Sequence, residues 1–219
     1  MGNSKSVSKN HDDKKIDEMF LELENRRNRH MNNSFLEKES QIILSGMDLL
    51  FLQRIRPNDR EISIYMSFDE SGILSGIFPG GQTSLCAPPN CQIQAVNSVV
   101  GIHTHPVGER VSSADLVTAI KLHPEMNRQN KRRLSMVIAP KGIYIYKPTH
   151  HIIELYKGQE ESILKKFQLY VKWVGHQLQE DTQTGKVHEF LNFVRGVGFD
   201  ISYIPYNSVI PTNFYMFKL

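Results

Sequence analysis

Cysteine is nearly absent from this chain, with only Cys86 and Cys91 among its 219 residues. Both lie in the short run CAPPNC, so a disulfide framework is not expected, and the low cysteine content favours a reducing environment with the cytoplasm as the expected location. A second metal site that uses these thiols is the alternative, but the sequence offers no clear histidine or carboxylate partner for them. Free thiols in a loop are therefore the favoured interpretation.

Long apolar runs are also missing. No segment approaches the roughly 18 apolar residues of a membrane span, and no apolar segment follows the N-terminus, so neither a transmembrane helix nor secretion is expected. The 26 basic and 23 acidic residues leave a net charge of only +3. That charge is too small to indicate nucleic acid, and the basic cluster within residues 121–133 is expected to be solvated surface. The composition is that of a globular protein.

Residues 1–39 are expected to form a polar leader followed by an amphipathic helix. Residues 1–6 read MGNSKS, which fits the short M-G-x-x-x-[ST] pattern of N-terminal acylation, although a plain polar leader is favoured. Residues 16–29 then place Ile16, Met19, Phe20 and Leu23 at helical spacing, which predicts an amphipathic helix. This helix is expected to pack on the rest of the protein or on a partner.

Residues 40–158 alternate between strand and helix patterns and are expected to form the main domain. The predicted elements are a helix, or a helix that enters a strand, at 40–54, strands at 61–68, 72–78 and 99–102, a helix at 114–122 and a hairpin of strands at 134–139 and 143–146. Either Ser112 or Ser113 is expected to cap the helix at 114–122. The sequence therefore predicts a mixed α/β fold.

Residues 159–219 are expected to form a small C-terminal α/β extension. Helical periodicity is clear at 160–179 and 186–195, and strand patterns follow at 199–206 and 213–217. Two arrangements are compatible with this pattern. The segment is either an appended unit or the outer layer of the main domain.

The most informative motif is His103-Thr104-His105-Pro106, which follows the buried strand at 99–102. Two histidines at i and i+2 in an extended segment point to the same side, because strand side chains alternate. Asp115 follows nearby in the chain and completes a set of three metal ligands. Three protein ligands with a fourth position open are the arrangement of a hydrolytic zinc site, so one catalytic zinc ion is predicted.

Hydrolysis also needs a general base and a donor for the oxyanion. Ser112 lies three residues before Asp115 at a helix start, where its hydroxyl could serve as that donor and the helix dipole is favourable. The base should be a carboxylate on a neighbouring strand. Asp69 and Glu70, directly before the strand at 72–78, are the first candidates.

Taken together, an acidic residue, the strand GILSG, the segment VGIHTHP and the S-x-x-D motif resemble the JAMM (MPN+) metalloprotease family. The resemblance covers residues 40–147, and the hairpin SMVIAPKGIYIY is similar to the family's closing hairpin. It implies a curved mixed β-sheet flanked by helices, which is the cytidine-deaminase-like architecture of the MPN/JAMM family. It also implies a zinc isopeptidase that acts on ubiquitin or ubiquitin-like modifier conjugates.

Within this resemblance, His103, His105 and Asp115 match the zinc ligands, and Ser112 matches the serine on the oxyanion side. A gapless alignment on Gly72 places Asp69 at the family's catalytic glutamate, whereas a shift of one residue places Glu70 there. Glu70 is the favoured base, with Asp69 second and Glu61 third. The loop at 79–90 matches an insertion that helps bind the modifier's extended C-terminus, and a plain surface loop is the alternative.

Two other functions are compatible with the same sequence. The chain could be a non-catalytic MPN-like scaffold, whose terminal helices bind partners in a larger complex. It could also be a JAMM hydrolase that processes a sulfur-carrier protein. Metal content separates the scaffold from the enzyme only in part, since a scaffold can retain zinc.

Overall fold

The computed structural model describes residues 41–56, 59–68, 74–79, 98–106, 110–128, 132–156, 159–180 and 187–218. Several predicted features lie outside these ranges. They are the acylation pattern, the amphipathic helix at 16–29, the two cysteines and residues 80–90 of the predicted binding loop.

The described chain contains eight strands, five α-helices and one short 3-10 helix. In chain order they are β1 Gln41–Ser45, α1 Gly46–Arg54, β2 Ser63–Phe68, β3 Leu74–Pro79, β4 Ser98–Thr104, α2 Ser113–Arg128, β5 Arg132–Ile138, β6 Gly142–Pro148, α3 His150–Tyr156, α4 Glu161–Glu180, α5 Val187–Gly196, β7 Phe199–Pro205, the 3-10 turn Tyr206–Ser208 and β8 Phe214–Lys218. The predicted strands and helices from residue 61 onward are all present, while α3 was not predicted.

The main sheet has six strands in the order β3-β2-β4-β5-β6-β7. β4 and β5 run parallel, and the other neighbouring pairs are antiparallel. A parallel pair needs a crossover connection, which α2 supplies here. The mixed α/β class with a mixed sheet flanked by helices is therefore confirmed.

The sheet is covered on both faces, and its alternating side chains enter two separate core clusters. In β6, Ile143 and Ile145 join a core cluster with β1 and α1, whereas Tyr144 and Tyr146 join a second cluster with the helices α2 to α5. In β4, Ile102 belongs to the first cluster. The odd-numbered residues of β4 therefore point to the helical side.

The order of elements predicted at 40–54 is wrong, because the strand comes first and the helix follows. Ile42 and Leu44 are buried on one face of β1, a period of two that the continuous apolar run Ile42-Ile43-Leu44 conceals. Ser45 ends the strand and caps α1, with its hydroxyl accepting from the Asp48 N–H at 3.2 Å. The Asp48 carboxylate accepts in return from the Ser45 N–H at 2.9 Å. This reciprocal cap sets the start of α1.

The C-terminal strands are built into both sheets. β7 pairs with β6 along the register Gly142↔Pro205 to Pro148↔Phe199, and β8 pairs with β1 to form a separate two-stranded sheet. Gly198 allows the sharp turn from α5 into β7, since its φ is +107° and a Cβ there would lie 2.8 Å from the Ile152 Cβ. The C-terminal strands therefore belong to the same sheets as strands from the preceding part of the chain.

None of the helices in the described ranges is both long enough and apolar enough to cross a membrane.

Candidate metal centre

The two histidines of the HTHP motif converge at the end of β4. Their Nε2 atoms lie 3.2 Å apart, and the rings are tilted by 59° with centroids 5.0 Å apart. Thr104 between them is fully buried on the opposite side. It donates its N–H to the Ile62 carbonyl and accepts the Ile62 N–H on Oγ1, both at 3.0 Å. These two bonds to the chain entering β2 hold Thr104 inward, so the histidines face the same way.

Asp115 reaches the histidines from the first turn of α2. Its Oδ1 lies 3.0 Å from the His103 Nε2, and its Oδ2 lies 3.4 Å from the His105 Nε2. The Ser112 N–H donates to Asp115 Oδ2 at 2.7 Å, and the Asp115 N–H donates to the Ser112 hydroxyl at 3.2 Å. Ser112 is therefore the N-cap of α2, and the reciprocal pair explains why serine and aspartate are spaced by three.

These three side chains form a group that could hold a metal ion, with all ligand atoms within 4.8 Å of one another. In a tetrahedral zinc site with bonds of 2.0–2.1 Å, neighbouring ligand atoms are about 3.3 Å apart. The two histidine Nε2 atoms are 3.2 Å apart, and each lies near that length from one of the two Asp115 oxygens, His103 at 3.0 Å from Oδ1 and His105 at 3.4 Å from Oδ2. Two imidazoles and a carboxylate are also ligand types that zinc accepts. The donor set therefore fits a zinc ion with further coordination left open.

The charges of the site are strongly coupled. Burial lowers the pKa of His105, but its hydrogen bond with Asp115 and the charges of Asp115 and Glu61 outweigh burial, so that the pKa is raised. Burial raises the pKa of Asp115, but hydrogen bonds and charges from His103 and His105 hold it well below its usual range. The carboxylate is thus ionised at neutral pH, as a metal ligand must be.

His105 is also held through its other polar groups. Its backbone N–H donates to the Ile138 carbonyl of β5 at 3.0 Å. A backbone hydrogen bond with Arg110 also contributes to the raised pKa of His105. The ring Nε2 faces His103 and Asp115, so it is the atom that could bind a metal.

Glu61 is the acidic residue that the described structure brings to this site. The antiparallel register of β2 and β4 pairs Ser63 with His103, so two residues further on, Glu61 lies opposite His105. Opposite residues of an antiparallel pair share a face, and the charge of Glu61 acts on the pKa of His105. Its side chain is half-buried. From the sequence Glu61 is only the third candidate, because the linear pattern does not show that β2 pairs with β4.

The favoured base, Glu70, and its alternative Asp69 lie outside the described residues. Histidines 150, 151, 176 and 188 are exposed, as predicted for surface residues. Lys121 of the basic cluster forms an exposed ion pair of 2.6 Å with Glu161, which agrees with a solvated surface.

A scan of the chain against protein-family models finds no match, and neither does a search of curated proteins. The resemblance of the HTHP and S-x-x-D segments to the JAMM family therefore remains a prediction.

Proposed function

We propose that this protein is a JAMM-type zinc metallopeptidase that hydrolyses the bond between a ubiquitin-like modifier and a lysine or peptide. The observation that supports it most is the convergence of His103, His105 and Asp115 at zinc-like separations, with Glu61 opposite His105. A catalytic zinc site needs three protein ligands and a carboxylate beside them, and these four residues supply that combination.

The proposed cofactor is one zinc ion held by the His-His-Asp group. A zinc ion held by these residues would supply Lewis-acid chemistry, which polarises a carbonyl and lowers the pKa of water towards 7. The ionised Asp115 offsets part of the cation's charge. The hydrogen bond of the His105 backbone N–H to β5 fixes the backbone from which the ring projects, so we expect little rearrangement of the backbone on binding.

Glu61 is the proposed general base, in place of Glu70. It lies on the same face of the sheet as both histidines, and its half-buried position leaves one side open to solvent. Its carboxylate takes a proton from the attacking water and passes it to the leaving amine. Without that transfer the amine would leave as an anion, which is far too basic to leave at neutral pH.

Ser112 is the proposed oxyanion donor. Its hydroxyl oxygen accepts the Asp115 N–H, and its own proton is left to donate to the developing negative charge. Its side chain is exposed beside the ligand group, so a substrate carbonyl can reach it. Because the capping hydrogen bond already holds the Ser112 hydroxyl, the donor is in position before substrate arrives.

The topology of the mixed sheet also supports this proposal. The parallel β4–β5 pair carries the histidines at its carboxyl end, and α2 leaves from the same end with Asp115 in its first turn. Ligand sites of open α/β sheets lie at this end of the strands. The modifier itself is inferred from the family resemblance alone.

The test is cleavage of linear ubiquitin-like fusions and diubiquitin by the purified full chain, with chelator and after zinc is restored. We expect turnover that the chelator abolishes and zinc restores. A sulfur-carrier fusion in the same panel distinguishes the second hydrolase function. Bound zinc without turnover on any substrate would favour the scaffold, and His150→Ala serves as a control for loss of an exposed histidine.

A further inference from the structure

Arg56 contacts the backbone of the second proposed ligand, His105, and of Pro106 after it. It lies just beyond α1, where its N–H donates to the Gln53 carbonyl at 3.4 Å. From there its Nη1 donates to two successive carbonyls, those of His105 at 3.3 Å and Pro106 at 2.8 Å. One guanidinium nitrogen thus joins the end of α1 to the chain that leaves β4.

These bonds complete the fixation of the His105 backbone. Its N–H is bonded to β5, and Pro106 has no N–H to offer a further bond. The two carbonyls are therefore the remaining polar groups by which this stretch of backbone can be held. A guanidinium suits the task, because it stays charged at all relevant pH values and presents several donors in a rigid plane.

We propose that Arg56 is a positioning residue of the metal centre, which holds the backbone so that the His105 imidazole stays aimed at the metal. This inference rests on the proposed metal site and adds a residue that contacts neither metal nor substrate. Arg56 is only partly buried and belongs to neither core cluster, so we expect its variants to fold.

Because Arg56 is a cation, the direction of the change in metal affinity distinguishes a positioning role from a purely electrostatic one. A cation near a metal site repels the metal, so removing a purely electrostatic Arg56 would tighten metal binding. Removing a positioning residue weakens it instead. Loss of an outer-shell partner weakens metal affinity about 10- to 100-fold.

The experiment is titration of the metal-free full chain with Co²⁺, following the ligand-field absorbance, for the wild type, Arg56→Met and Arg56→Lys. Arg54→Met is the matched control, because Arg54 is an exposed cation at the end of the same helix. We expect Arg56→Met to raise the Co²⁺ dissociation constant about 10-fold with an altered spectrum. Arg56→Lys keeps the charge and should give a smaller rise, while Arg54→Met should bind as tightly as the wild type or more tightly.

A folded Arg56→Met protein that binds Co²⁺ as tightly as the wild type, or more tightly, overturns the proposal. If Arg56→Met does not fold, Arg56→Lys decides, and an unchanged dissociation constant with an unchanged spectrum overturns it. Failure of the wild type to bind Co²⁺ has a different meaning, because it refutes the metal site on which the proposed function also depends.

Discussion

Glu61 lies opposite His105 where the β2–β4 ladder extends past its last strand pair. Immediately before this position, the Thr104 N–H donates to the Ile62 carbonyl and the Thr104 hydroxyl accepts the Ile62 N–H. These two bonds hold Glu61 and His105 in register. A carboxylate and a proposed metal ligand thereby share one face of the sheet. This pairing brings the proposed general base to the face that carries the proposed metal ligands.

Glu61→Gln should abolish catalysis while leaving metal binding intact. The amide is similar in shape but accepts no proton at neutral pH, so we expect turnover to fall about 10²- to 10⁴-fold. Steady-state cleavage of a modifier fusion, with zinc content measured in parallel, checks this. Glu70→Gln and Asp69→Asn are the matched controls, and full activity of Glu61→Gln beside an inactive Glu70→Gln would reverse the assignment.

Substitutions at Ser112 separate its role as a cap from its role as a donor. Ser112→Ala loses both, and we expect it to cost about 0.5–2 kcal/mol of unfolding free energy, whereas glycine at an N-cap costs only a few tenths. Ser112→Gly should therefore stay close to wild-type stability and still lose about 10²- to 10³-fold in kcat, because the hydroxyl is gone. Urea unfolding and kcat for both variants provide the measurement. Wild-type kcat in Ser112→Gly would leave Ser112 with the capping role alone.

The ligand group was predictable because its determinants are local. An i, i+2 histidine pair on a strand and a serine–aspartate pair at a helix start each follow from one element's geometry. The convergence of the two motifs agrees with the short connection from β4 to α2.

Features that depend on pairing between distant segments were not predictable in this way. Glu61 reaches the site through the β2–β4 register, and β8 pairs with β1 across nearly the whole described chain. The strand at 41–45 was also missed, since a continuous apolar run fits a buried helix as well as a strand. In each case the deciding interaction joins residues that the linear pattern does not relate.

Tyr206 provides a pH-dependent contribution to stability away from the ligand group. Its hydroxyl donates to the Ala139 carbonyl at 3.1 Å. Burial raises the pKa of Tyr206, and the charge of Arg56 offsets this only in part. An acid whose pKa is higher in the folded state contributes stability that is present below its unfolded pKa, about 10, and is lost as the pH rises through the folded value.

Tyr206→Phe should therefore be less stable than the wild type by about 1 kcal/mol at pH 8, through loss of the hydrogen bond. This difference should shrink as the pH rises above 10, since the unfolded wild type then releases a proton that the folded form retains. Urea unfolding of both proteins at pH 8 and above pH 10 tests this. A difference that grows with pH would contradict the assigned direction of the pKa shift.

The most direct test of the metal centre is the zinc content of the purified chain after equilibration with zinc and removal of the excess. We expect one tightly bound zinc ion per wild-type chain and per His150→Ala chain, because that exposed histidine lies outside the ligand group. His103→Ala and Asp115→Asn should fold and retain almost none. Zinc that persists in both ligand variants, or a wild-type chain that binds none, would contradict the metal centre and the function proposed from it.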